Sequence, residues 1–236
     1  MRTLAFLPLF ISILQVMAAC TKQKQAGHSS VPVSDTLHKT WLALGDSYSI
    51  GESVAATDRF PAKAVSILAN NGIAFSTPEY IAVTGWSTRN LLNSINNTPP
   101  TRPTYDFVTL LIGVNNQYQG RSLAEYRTEF TNLLNTAINY AGKRPARVAV
   151  LSIPDWSVTP FAAGSDTTLI RMQIDEFNKI NKEITLAHQV LYIDITHSTR
   201  MARTDRSLLA ADSLHPSAKE YAKWATQLAA YMKTVL

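Results

Sequence analysis

The chain has 236 residues, of which 46% are hydrophobic and 17% charged. That profile excludes a chain disordered throughout, and the length suits one sizeable core rather than two. The formal net charge of +5 arises from 22 basic residues scattered among 17 acidic ones, with no run of like charge and no recognition motif, so nucleic acid is not an expected partner.

The chain starts with Met1-Arg2-Thr3, continues in an apolar stretch from Leu4 to Met17, and reaches Ala18-Ala19-Cys20. A charged segment, an apolar segment and small residues at a cleavage point are the parts of an export signal. The apolar stretch is too short to span a bilayer. Cys20 is the sole cysteine, so no disulfide can form within the chain. The small-small-Cys ending resembles the lipobox of bacterial lipoproteins, in which that cysteine is acylated and becomes the mature N-terminus; Met17 stands where leucine is commoner. The plainer alternative is a secretory signal cleaved nearby. Several acyl chains on Cys20 would exceed what stable anchoring requires. From Thr21 to about Lys39 the sequence is polar and lacks periodic apolar positions, which describes a tether. The expected organisation is a lipoprotein signal peptide at 1–19, a lipidated cysteine and flexible tether at 20–39, and one globular domain at 40–236. The expected location is outside the cytoplasm, on a membrane facing the periplasm or the cell surface.

Within the domain, five short apolar runs alternate with amphipathic stretches: Trp41-Leu44, Tyr80-Val83, Phe107-Ile112, Arg147-Ile153 and Val190-Ile195. Such alternation predicts βαβ units and a parallel sheet. Ser122, with Glu125 three residues on, reads as a capping box opening a helix that stops near Gly142. Its apolar stripe is Tyr126, Phe130, Leu133, Leu134, Ala137, Ile138 and Ala141. A last helix follows Pro216, which suits a first turn, and its stripe is Ala218, Tyr221, Ala222, Ala225, Leu228, Ala229 and Met232. Five strands favour an open three-layer α/β/α sheet of flavodoxin-like type over a barrel. Ligands bind such sheets at the carboxyl ends of the strands, so the residues after each run are where chemistry is expected.

Gly45-Asp46-Ser47 follows the first run, where a small residue lets the chain turn and present a hydroxyl, as in a nucleophile elbow. Alone, such a tripeptide is a turn or a helix N-cap more often than a nucleophile. Gly85 follows the second run and could bring a backbone N–H close to a reacting oxygen, or merely turn the chain. After the third run comes Gly113-Val114-Asn115-Asn116-Gln117, whose amides could donate to an oxyanion or satisfy a loop. Near the C-terminus stands Asp212-Ser213-Leu214-His215-Pro216. An acid three residues before a histidine on a tight loop can accept the Nδ1 proton while Nε2 takes a proton from serine. A second Asp-x-x-His, Asp194 to His197, puts its acid inside the fifth run and is the weaker candidate. His28, His38 and His188 have no comparable partner.

These four segments, in this order, resemble the blocks of the SGNH hydrolases, also called GDSL esterases and lipases. The resemblance runs from about Trp41 to the final helix and implies the family's three-layer fold. It also implies roles: Ser47 as nucleophile and first oxyanion donor, Gly85 and Asn115 as further donors, and Asp212 with His215 completing the triad. Two positions depart from the family: Tyr48 replaces the leucine of the GDSL name, and Asn116 stands where Asp is common, removing a charge beside the expected oxyanion hole. The implied reaction is two-step acyl transfer on carboxylic esters, short-chain acyl or acetyl-glycan, which calls for no metal and no cofactor. Tyr48, Trp86, Asn116 and Trp156 are candidates for substrate contact, although Trp156 could equally bury itself against the last strand. The expected partners are an ester substrate and, through Cys20, a membrane; the protein is expected to be a monomer. The alternatives are a lysophospholipase or thioesterase, and a non-catalytic lipoprotein that binds glycan or lipid.

Overall fold

The structure is a computed structural model that describes residues 38–236. The expected export signal, Cys20 and the expected tether as far as residue 37 lie outside the described residues. Lys39, one residue before the predicted domain start, is already engaged with the domain. Its N–H donates to Ala74 O at 2.9 Å, and its carbonyl accepts from Ser76 N–H.

Five parallel strands form one sheet: β1 Trp41–Asp46, β2 Glu79–Val83, β3 Phe107–Leu111, β4 Val148–Leu151 and β5 Leu191–Ile193. Their order is β2-β1-β3-β4-β5, the flavodoxin-like arrangement. The central strands β1, β3 and β4 are buried along their whole length, which explains why they read as continuous apolar runs rather than alternating ones. The fourth and fifth strands are shorter than their apolar runs. Pro145–Arg147 form a 3-10 turn ahead of β4, and Asp194, one residue beyond β5, accepts from Thr196 N–H instead of continuing the ladder.

Among the described residues, eight helices surround the sheet: α1 Ser47–Ile50, α2 Phe60–Ala69, α3 Thr88–Asn97, α4 Val114–Tyr118, α5 Leu123–Tyr140, α6 Thr167–Ala187, α7 Thr196–Arg200 and α8 Ala218–Val235. The chain steps outward from β1 to β2 and then returns across the sheet toward β5. Right-handed crossovers therefore place α2 on one face and α3, α5 and α6 on the other. Helix α8 packs along α2, and α5 packs along both α3 and α6.

The predicted stripe of α5 is buried except for half-buried Ile138. Ser122 Oγ accepts from Glu125 N–H at 3.2 Å, but the Glu125 carboxylate turns to Arg121 and Arg89, so only half of the predicted capping box forms. Pro216 does not enter the first turn of α8. Ser217 is the N-cap, and Pro216 precedes it in an isolated bridge with Leu209. The α8 stripe also contains fully buried Trp224, whose indole N–H donates to Glu220 Oε1 at 2.9 Å on the same helix.

Candidate active site

In a sheet of this order, chain direction reverses between β1 and β3, and a crevice opens at their carboxyl ends. Ser47 stands at the end of β1 and Asn115 just beyond β3, so both border that crevice. Asp46 caps α1: its Oδ1 accepts from Tyr48 N–H at 3.0 Å, with extended backbone at the cap. Gly45 is required by close approach, because a Cβ there would collide with the Leu111 carbonyl of β3 and with Ser49. From the far side, Tyr221 of α8 donates its hydroxyl to Tyr48 O at 3.0 Å and pins the turn that carries Ser47.

His215 reaches this turn from a loop clamped at both ends. Ala210 N–H donates to His215 O at 2.8 Å, and Ser217 N–H to Leu208 O at 2.8 Å. Between them, Asp212 Oδ1 accepts the N–H groups of both Leu214 and His215, while Ser213 takes a left-handed φ of 61°. This self-bonded turn places His215 Nδ1 2.7 Å from Asp212 Oδ2 and His215 Nε2 2.9 Å from Ser47 Oγ. Ser47 and His215 are buried, 4% and 7% exposed. The structure thus brings together three side chains that the sequence separates by up to 168 positions.

Sequence reasoning did not find Ser53, whose hydroxyl donates to Asp212 Oδ2 at 2.6 Å. It lies just past Gly51, the left-handed C-cap that turns the chain back after α1. That cap was the only local sign that the segment returns toward the site. Partial burial works to raise the Asp212 pKa, but donors from Ser53, the His215 ring and two backbone N–H groups outweigh it and hold the carboxyl down at about 2. Asp46 behaves in the opposite way. It is wholly buried, its Oδ2 has no hydrogen-bond partner, and burial pushes its pKa up to about 7 against the backbone N–H of Tyr48.

Gly85 adopts a left-handed φ of 82° in the turn after β2. Its carbonyl accepts from Gln119 Nε2 at 3.0 Å, and that of Trp86 from Asn115 Nδ2 at 3.1 Å, so the turn is tied to the segment after β3. Gly113, with φ of 132°, opens α4; a Cβ there would lie 2.7 Å from the Tyr126 ring. Ser47, Gly85, Asn115 and His215 border one cleft of about 140 Å3, with Tyr48 and Trp156 also in its wall. The Tyr48 ring lies against that of His215, centroids 4.9 Å apart.

Two expected substrate contacts are corrected. Asn116 is fully buried and contacts no cleft: Thr88 N–H donates to its Oδ1 at 3.0 Å, and its Nδ2 donates to Thr88 Oγ1 at 2.6 Å. Thr88 in turn donates to Glu129 Oε2 at 2.5 Å, so a carboxylate from α5 stands near the position where an aspartate was expected. Trp86 packs half-buried against the core and does not line the cleft. The second Asp-x-x-His pair is divided: Asp194 accepts from the backbone N–H groups of Thr196 and His197, capping α7, and His197 is exposed on that helix. Among the described residues, no three His, Cys, Asp or Glu side chains group as a metal site would require, and no helix is long and apolar enough to cross a membrane.

No curated protein sequence matches the chain. Solved structures do resemble it. A lipase/acylhydrolase from Enterococcus faecalis is 20% identical, with a TM-score of 0.65 over 83% of this chain and 96% of that one. TesA is 16% identical, with a TM-score of 0.64 over 84% of this chain and 100% of its own. An acetylxylan esterase from Geobacillus stearothermophilus is 18% identical, with a TM-score of 0.62 over 82% of this chain and 94% of that one. At these identities the likeness establishes a shared fold. The sequence itself matches the GDSL-like lipase/acylhydrolase family over residues 43–223, which include every residue of the cleft described above. The chain belongs to that family and is an ester hydrolase of the SGNH/GDSL type.

Proposed function

We propose that the protein hydrolyses carboxylic esters through an acyl-enzyme on Ser47, with His215 as general base and acid and Asp212 as its orienting carboxylate. The observation that carries this reading is the unbroken chain Ser47 Oγ, His215 Nε2, His215 Nδ1, Asp212 Oδ2, with steps of 2.9 Å and 2.7 Å. Asp212 accepts the Nδ1 proton, which leaves the Nε2 lone pair directed at the serine hydroxyl. Ser47 Oγ attacks the ester carbonyl carbon as its proton passes to Nε2, and the carbonyl electron pair moves onto oxygen. That oxyanion receives hydrogen bonds from the N–H groups of Ser47 and Gly85 and from Asn115 Nδ2. Ser47 opens α1, where a first-turn N–H has no partner within the helix. Asn115 Nδ2 spends one N–H on Trp86 O and keeps the other.

Collapse of the intermediate expels the alcohol, which leaves with the proton held on His215. Water then attacks the acyl-enzyme, giving its proton to Nε2, and a second collapse releases the carboxylic acid and returns the proton to Ser47. Short-chain acyl esters are the substrates proposed; acetyl esters of glycans, the class of an acetylxylan esterase that shares the fold, are the second reading. All groups invoked come from one chain, so a monomer suffices. The small-small-Cys ending at Cys20 supports export and anchoring at a membrane, on the periplasmic side or the cell surface.

A fluorophosphonate probe separates this enzyme from a lipoprotein that only binds lipid or glycan. Labelling should map to Ser47 and disappear in Ser47→Ala and His215→Ala. Silence in folded wild-type protein refutes the reading.

A further inference from the structure

The rings that wall the cleft narrow the substrate class. Tyr118, Trp156 and Phe161 touch one another around the mouth: Tyr118 to Trp156 with centroids 5.5 Å apart at 73°, Trp156 to Phe161 at 5.9 Å and 68°, and Tyr118 to Phe161 at 6.3 Å and 46°. These are edge-on and tilted contacts, the geometry in which aromatic rings accept a further apolar edge. The Trp156 indole is only 7% exposed, and its N–H is committed to Gln117 Oε1 at 2.7 Å, so it offers neither a polar tip nor an open flat face. By contrast, Phe161 and Tyr118 are 49% and 58% exposed, large for apolar rings with no covering partner. Val114 and Leu214 complete the apolar wall.

The polar inventory of the cleft is short. Beyond Ser47, Asn115 and His215, which the reaction uses, there are the hydroxyls of Tyr118 and of buried Tyr48, and Thr84, whose hydroxyl is donated to Glu52 Oε2 at 2.5 Å. Among the described residues, no lysine, arginine, aspartate or glutamate lines it. A glycan would bring several hydroxyls into a wall with few partners for them, and each unpaired polar group costs binding. An anionic headgroup would find no cation in the wall, and the nearby Glu52 carboxylate is already engaged by Thr84. Apolar groups meet no such penalty.

Building on the ester-hydrolase reading, we propose that this site selects uncharged esters carrying an apolar chain or aromatic ring, which packs against Phe161 and Tyr118, over esters of glycans. The ring or chain can sit on the acyl or the alcohol side. In both cases the same wall takes it up.

The test uses the purified full chain and compares kcat/KM across three arms. The acyl arm is p-nitrophenyl acetate, butyrate and hexanoate; the alcohol arm is ethyl, phenyl and naphthyl acetate; the glycan arm is acetylated xylobiose. Wild type should gain up to about fourfold in kcat/KM per added CH2 along whichever arm meets the wall, and naphthyl acetate or p-nitrophenyl hexanoate should exceed acetylated xylobiose by more than about tenfold. Phe161→Ala and Tyr118→Ala should each reduce that preference through KM, while Leu186→Ala, an exposed change at the end of α6, should leave it intact. Fluorophosphonate labelling of every variant reports whether Ser47 is still reactive. An unlabelled wild type defeats the underlying ester-hydrolase reading. A labelled wild type that prefers acetylated xylobiose, or labelled Phe161→Ala and Tyr118→Ala proteins with unchanged preference, overturns this inference alone.

Discussion

Ser53 Oγ lies 2.6 Å from Asp212 Oδ2, the same carboxylate oxygen that faces His215 Nδ1. An exposed serine from the loop after α1 thereby shares the acid that orients the histidine. Because Ser53 holds a left-handed φ of 63°, Ser53→Gly keeps the backbone unstrained while it removes the hydroxymethyl side chain. Loss of about 1 kcal/mol of hydrogen bonding should lower kcat roughly fivefold. The Asp212 carboxyl, held at about 2 partly by this bond, should titrate at higher pH when followed by carboxyl carbon NMR. An unchanged titration would mean that Ser53 contributes nothing to the acid.

Asp46 predicts a dependence of stability on pH. Its folded pKa of about 7 lies above the ordinary carboxyl value of 3.8, so the native state keeps a proton that the unfolded chain sheds. The stabilisation is fully present below about pH 4 and is lost as pH rises through about 7. Asp46→Asn keeps an acceptor for Tyr48 N–H and cannot ionise. Urea unfolding should show wild type losing stability relative to this variant between pH 4 and 8, by on the order of a few kcal/mol. Parallel stability profiles for the two proteins would show that Asp46 is ionised throughout.

Asn116 is a donor that an aspartate could not replace. Its Nδ2 donates to Thr88 Oγ1, and that hydroxyl donates to Glu129. In Asn116→Asp, two carboxylates would compete for one buried hydroxyl proton, and the variant should lose about 1–3 kcal/mol of stability. Adding Glu129→Gln to it should restore part of the loss, as a double-mutant cycle would measure. Equal stability of Asn116→Asp and wild type contradicts this account.

What the sequence disclosed and what it hid follow from range. Strands β1, β3 and β4 were legible because both faces are buried and leave unbroken apolar runs. The cleft segments at Ser47, Gly85 and Asn115 were legible because they stand just after strands, where this sheet presents its carboxyl ends, and the His215 loop because of its own Asp-x-x-His spacing ahead of the last helix. Ser53 was not, since its partner lies 159 residues away and the Gly51 cap signals a turn without naming what the turn meets. Asn116 and Trp86 were misassigned for a related reason. Beside a strand end, an amide or indole reads as available to a ligand, whereas Thr88 and the core had already claimed them. Trp224 escaped the α8 stripe because it is buried one position ahead of Ala225 with its N–H satisfied by Glu220, a residue type that a stripe search discards.

The central claim is that the oxygen of Ser47 attacks the ester, and p-nitrophenyl acetate hydrolysis by Ser47→Ala protein tests it most directly. A rate at least about a thousandfold below wild type, in protein that unfolds at the wild-type temperature, is the predicted result. Turnover at the wild-type rate would contradict the assignment of the nucleophile and every step derived from it.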